Sequence, residues 1–122
     1  MGKKYDSDTF ISIKANAVVP TSEFSNTFVQ GMYDRMAMSY FKYGKVADAY
    51  PKVIDAIASL KKRLENYETD GNTEWLMDVA NFAMIESMRP KHSKAHFKGT
   101  DGDTTGRVTT KGVQSTKGNK DF

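Results

Sequence analysis

Asn72-Thr73-Glu74-Trp75-Leu76-Met77-Asp78-Val79-Ala80-Asn81-Phe82-Ala83-Met84-Ile85 is the stretch whose reading decides the fold of this chain. Thr73 and Glu74 supply a helix-start signal, since an acid is favoured beside the free N–H groups of a first turn. Trp75, Leu76, Val79, Ala80, Phe82, Ala83 and Met84 then form a broad apolar band at helical spacing, the pattern of a central helix. The helix is expected from Thr73 to about Met88, where Arg89-Pro90 stops it. Glu74 and Asp78 stand one turn apart and Asn81 follows three residues later, so all three stack along one edge.

Upstream, Thr69-Asp70-Gly71-Asn72 reads as a tight turn. Before it, Ile54, Ile57, Leu60, Leu64 and Tyr67 give an apolar stripe backed by Lys61, Lys62, Arg63 and Glu65. That helix is predicted to start near Ala49 to Pro51, with Asp48 as its cap and proline in its first turn. Further upstream, Phe24, Phe28, Met32, Met36 and Tyr40 recur every four residues after Thr21 or Ser22 as cap, and Tyr43-Gly44 closes a helix expected to end near Phe41. The expected fold is therefore all-α: an antiparallel core of three to four helices, the fourth a short one over 93–97.

Three zones follow from composition. Residues 1–20 read as an extended N-terminal arm or single strand, because Thr9-Phe10-Ile11-Ser12-Ile13-Lys14 partly alternates and Val18-Val19-Pro20 ends it. Residues 21–97 form the helical core domain. Residues 98–122 are a flexible, basic Gly/Thr/Lys-rich C-terminal tail, too poor in apolar side chains to offset its own conformational entropy; if ordered, a macromolecular partner orders it.

A chain of 122 residues with so polar an end holds one small core, so a homo-oligomer is favoured. Cysteine is absent, which excludes disulfides, thiolate metal sites and cysteine nucleophiles. Neither a signal peptide nor an apolar run of about 18 residues is present, so a cytoplasmic protein without membrane contact is expected. The net charge of +3 is mild and concentrated in the tail, which does not announce nucleic-acid binding.

Two antiparallel helices carrying Glu65, Glu68, Glu74 and Asp78 near one turn could bring carboxylates together on Mg²⁺, a hard cation that prefers oxygen ligands. Such an ion would hold a phosphate chain and activate water, with Asp78 and Glu74 as the catalytic candidates. The competing reading makes Glu65 and Glu68 solvated surface acids and Glu74 a helix-terminus acid. Asp78, set in an apolar helix, either faces a cleft or pairs with a base such as Arg35 or Arg63. Lys42, Tyr43 and Arg63 are candidate ligand-binding residues, the cations for phosphate and the ring for a base, and Asn81 can donate and accept at a nucleobase or between helices. His92 and His96 have a zinc spacing only if they lie on a helix. No phosphate-binding glycine loop or nucleophile elbow is present.

Lys42-Tyr43-Gly44, the basic helix from Ile57 to Leu64 and the run from Glu74 to Met84 together resemble small phage-encoded all-α proteins distantly similar to MazG-like nucleotide pyrophosphohydrolases. The resemblance covers roughly residues 28–88 and is most specific in the third-helix pattern of acid-Leu-x-Asp-x-Ala-Asn-x-Ala. It implies binding of nucleoside triphosphates with Mg²⁺ held by acids on adjacent helices, in a dimer or tetramer. By position it marks Glu74 and Asp78, with Glu65 and Glu68 after them. Where the family has a Glu-Glu-x-x-Glu run, this chain has Arg63-Leu64-Glu65-Asn66-Tyr67-Glu68, with two acids. Three functions are thus expected: a phage-type, Mg²⁺-dependent nucleotide hydrolase; a non-enzymatic antidefence protein that sequesters a nucleotide signal or inhibits a host protein; or an assembly protein acting through its tail.

Overall fold

Capping chemistry sets where the helices of this chain begin. In the computed structural model, which describes residues 19–100 and 106–115, α1 runs Asn26–Tyr43, α2 Val46–Ala49, α3 Ala56–Asp70 and α4 Glu74–Met88. Helix α1 starts after Ser25, whose hydroxyl accepts from the Phe28 N–H at 2.9 Å, and not at Thr21 or Ser22. Those two lie in a turn closed by Glu23 N–H on the Pro20 carbonyl, so the cap falls three to four residues later than expected. Gly44, at φ 89°, ends α1 with its N–H on the Tyr40 carbonyl.

The second expected helix splits. Asp48 lies inside the single turn α2 and does not cap, while Asp55 caps α3 through the Ala58 N–H at 3.0 Å. The Val53 and Ile54 N–H groups both bond the Ala49 carbonyl, which carries the chain around Pro51 to that second start. Helix α3 ends at Gly71 in the left-handed conformation, φ 75°, as the turn residues require. The Asn72 side chain then accepts from the Glu74 N–H at 3.0 Å to open α4.

Helices α3 and α4 form an antiparallel hairpin. Near its turn Trp75 Nε1 donates to both Asp70 carboxylate oxygens at 3.1 Å; in the middle Arg63 meets Asp78; at the open end Lys91 Nζ donates to Asp55 at 2.8 Å. Helix α4 also packs on α1, so it touches both of the other long helices. The approach of α1 is close at Gly31, where a Cβ would stand 2.6 Å from the Met77 thioether. Burial is thin: Ala56, Ile85 and Asn81 are the buried side chains among the described residues.

The described residues fall into two units, one ending at Lys91 and one starting at His92. In the second, no helix forms over 93–97; a turn there is closed by the Ala95 N–H on the His92 carbonyl and the Lys94 N–H on His92 Nδ1. His92 and His96 therefore lack the helical backbone that their zinc spacing needs. Within the polar tail an unforeseen hairpin appears, β1 (Gly106–Thr109) antiparallel to β2 (Gly112–Ser115). Thr109 ties its turn by donating to the Gly112 carbonyl and accepting from the Lys111 N–H. The N-terminal arm lies outside the described residues except for Val19 and Pro20. Among the described residues no helix is long and apolar enough to cross a membrane.

The Asp55 cap has a pH signature. The Ala58 N–H first, and the Lys91 ammonium second, hold its carboxyl below the usual carboxylate range. A group with a depressed folded-state pKa contributes stability above its unfolded value near ~3.9, and that contribution disappears as pH falls through the lower folded value. Asparagine caps helices nearly as well as aspartate but cannot titrate. Asp55→Asn is accordingly expected to flatten the acid limb of a plot of melting temperature against pH below about pH 4. An unchanged limb would show that this cap is not a source of the acid sensitivity.

Candidate functional site: an arginine and carboxylate cleft

Asp78 projects from the second turn of α4 toward α1 and α3, and both answer with arginine. Arg35 of α1 donates through Nε to Asp78 Oδ1 at 2.7 Å and through Nη1 to Glu74 Oε2 at 2.6 Å. Arg63 of α3 reaches Asp78 Oδ2 through Nε at 3.3 Å. The Asp78 side chain is only 16% exposed, against 37% for Arg35 and 34% for Arg63, so the carboxylate lies beneath the two guanidinium groups. The hydrogen bond to Asp78, outweighing partial burial, and the added charge of Glu74 raise the Arg35 pKa above its already high value. Arg63 is also steadied by Phe82, whose ring centroid is 5.2 Å from the guanidinium carbon.

These groups line an open cleft of about 670 Å³ between α1, α3 and α4. Lys42 and Tyr43 from the end of α1, Tyr50 beyond α2, Ser39, and Asn81 and Phe82 from α4 share its wall. Tyr50 lies 6.4 Å from Phe82 between ring centroids, and burial raises its phenol pKa. Asn81 is 5% exposed; its Nδ2 donates to the Met32 carbonyl at 3.1 Å, and its Oδ1 has no partner among the described residues. A buried amide oxygen without a donor costs about 1–3 kcal/mol, and native proteins hold few of them.

Lys42, Tyr43, Arg63, Asp78 and Asn81, singled out separately in the sequence, thus meet in one cleft. Arg35, read there only as a partner for Asp78, is the hub of the ion-pair cluster; as the sole cation in the first four turns of α1, it was open to being found. Ser39, Tyr50 and Phe82 were missed, because nothing in their local spacing distinguishes a cleft wall from core. The acids assigned to Mg²⁺ are arranged differently from that expectation. Glu74 and Asp78 are held by Arg35, Glu65 is 3.6 Å from Lys62 and lines a separate shallow depression with Trp75, and Glu68 is an exposed residue of α3. Among the described residues no three His, Asp or Glu side chains gather as a metal would need, so this donor set as arranged does not fit a Mg²⁺ cradle.

Charge in the cleft is close to balanced. Arg35, Lys42 and Arg63 face Asp34 and Asp78 on its wall, and Glu74 adds a carboxylate at its edge. Chemically, the cleft offers guanidinium and ammonium donors and aromatic faces. Compared with protein-family models, with curated proteins and with solved structures, the chain has no significant match among any of them.

Proposed function

We propose that this is a nucleotide-binding helical protein of the phage type its sequence resembles, and that it holds its ligand in the α1/α3/α4 cleft without turning it over, as a sequestering protein does. The observation that carries this reading is the meeting of Arg35, Arg63 and Lys42 with the Tyr43 and Tyr50 rings in one cleft of about 670 Å³. The terminal nitrogens of Arg63, with Lys42, would take a phosphate, and a tyrosine ring would stack on the base. The near balance of charge favours a ligand of low charge, a monophosphate or cyclic nucleotide, over a triphosphate. Commitment of Glu74 and Asp78 to arginine favours binding over hydrolysis. The same reading includes self-association, because so few side chains are buried in the helical unit.

Calorimetric titration with mono-, di- and triphosphates and cyclic nucleotides, with and without Mg²⁺ and with product analysis, tests it. Binding without product is expected, stronger for the low-charge ligands. Arg63→Met is expected to weaken it at least tenfold, equivalent to about 1.4 kcal/mol. Lys42→Met is expected to lower affinity as well, while changing stability by no more than about 0.5 kcal/mol, because Lys42 is an exposed residue. No binding by any nucleotide, or binding that both variants leave intact, would overturn the proposal; Mg²⁺-dependent product would replace sequestration with hydrolysis.

A further inference from the structure

The two arginines of the cleft are tied to the fold in different ways. Arg35 commits all three guanidinium nitrogens to carboxylates: Nε and Nη2 to Asp78 at 2.7 and 3.4 Å, and Nη1 to Glu74 at 2.6 Å. Arg63 commits only its Nε, to Asp78 at 3.3 Å, and among the described residues no acceptor meets its two terminal nitrogens. Its plane has a second support. Phe82, one turn beyond Asp78 on α4, sets its ring centroid 5.2 Å from the Arg63 guanidinium carbon, and Tyr50 packs against that ring at 6.4 Å between centroids.

A guanidinium is flat and directs its N–H bonds within its own plane, so two fixed points decide where the remaining bonds aim. With Asp78 at its Nε edge and Phe82 over one face, Arg63 presents the end that carries Nη1 and Nη2. We propose that Phe82 is a positioning residue of the cleft, holding Arg63 so that Nη1 and Nη2 meet two oxygens of one phosphate as a preformed fork. Arg35 then belongs to the scaffold, and Lys42 adds charge without direction. Orienting the fork before a ligand arrives reduces the ordering cost that a long side chain carries on binding. The inference rests on the cleft being a nucleotide site and names the residue that orders its phosphate contact.

Calorimetric titration with inorganic phosphate and with the common nucleoside 5′-monophosphates tests it, with circular dichroism to verify the helices. The variants are Phe82→Met, Phe82→Tyr, Arg63→Lys, Arg63→Met and the double change Phe82→Met with Arg63→Met; Phe82→Leu replaces Phe82→Met if the latter disturbs the helices. Phe82→Met should weaken monophosphate binding about fivefold, whereas Phe82→Tyr, which keeps the ring face, should stay within about twofold of wild type. Arg63→Lys keeps the charge but not the fork and should lose about tenfold. In the Arg63→Met background the loss of the ring should have no further effect. An equal loss in both backgrounds would make Phe82 a ligand wall or a support of the fold and overturn the inference, as would an affinity indifferent to Phe82→Met or to Arg63→Lys. Phosphate binding with this pattern but no preference for nucleotides overturns the nucleotide reading while the fork stands, and no binding of either probe overturns both.

Discussion

Asp78→Ala is expected to destabilise the helical unit by about 2 kcal/mol in urea denaturation. Its carboxylate is the mostly covered member of a cluster joining all three long helices, with Arg35 at 2.7 Å on one side and Arg63 at 3.3 Å on the other. Removing one member of a buried pair typically costs 3–5 kcal/mol, because the remaining charge is left desolvated and unmatched. Here both arginines are more than a third exposed and can recover water, so the lower figure applies. Glu74, with 59% of its side chain exposed, makes an equally short contact to Arg35 at 2.6 Å, yet Glu74→Ala should cost less than about 1 kcal/mol. A double-mutant cycle between Asp78→Ala and Arg35→Ala should return a coupling of about 1 kcal/mol or more. If Asp78→Ala falls within 0.5 kcal/mol of wild type, as typical surface changes do, the cluster does not hold the helices together.

The same residue separates the functional readings. If Asp78 restrains two arginines beside an anion site, Asp78→Asn removes a repulsive charge and should leave nucleotide binding intact or tighten it. If it instead held a catalytic cation, the same change would abolish metal-dependent turnover.

How much of this was legible in the sequence differs by element. Helix α4 was placed within a residue because Asn72-Thr73-Glu74 and Arg89-Pro90 leave no competing start or stop nearby. The starts of α1 and α3 were not, because Thr21, Ser22 and Ser25, or Asp48 and Asp55, are equally suitable cap residues by type, and the choice between them is made by the turn after Pro20 and the path around Pro51. The tail hairpin was invisible because its turn, Thr110-Lys111, lacks the Asn-Gly type of signal and its strands are short. The cleft residues were readable as chemical types but not as a set: Lys42, Arg63 and Asn81 come from three helices, and only the packing of α1 and α3 on α4 brings them together. The acids were read from spacing along two helices, which cannot reveal that Arg35, dozens of residues upstream, occupies both Glu74 and Asp78.

Ile85→Ala is expected to cost about 3 kcal/mol and to make the melting temperature of the variant depend more steeply on protein concentration than that of the wild type. Ile85 is 4% exposed and, with Ala56, one of two buried apolar side chains among the described residues. Truncating a buried isoleucine to alanine costs 2–5 kcal/mol; because Ile85 also borders the open cleft, water can enter the space it leaves, which keeps the cost away from the upper limit. A helical unit of this size carries roughly 5 kcal/mol of stability at ~0.05–0.15 kcal/mol per residue, so the loss consumes more than half of it. If copies associate as proposed, their contacts supply a larger share of what remains, and stability derived from association rises with protomer concentration. Thermal melts across a hundredfold range of concentration measure both effects at once. A concentration-independent melt with a loss below about 1 kcal/mol would mean that neither the Ile85 contact nor an intersubunit one sustains the fold.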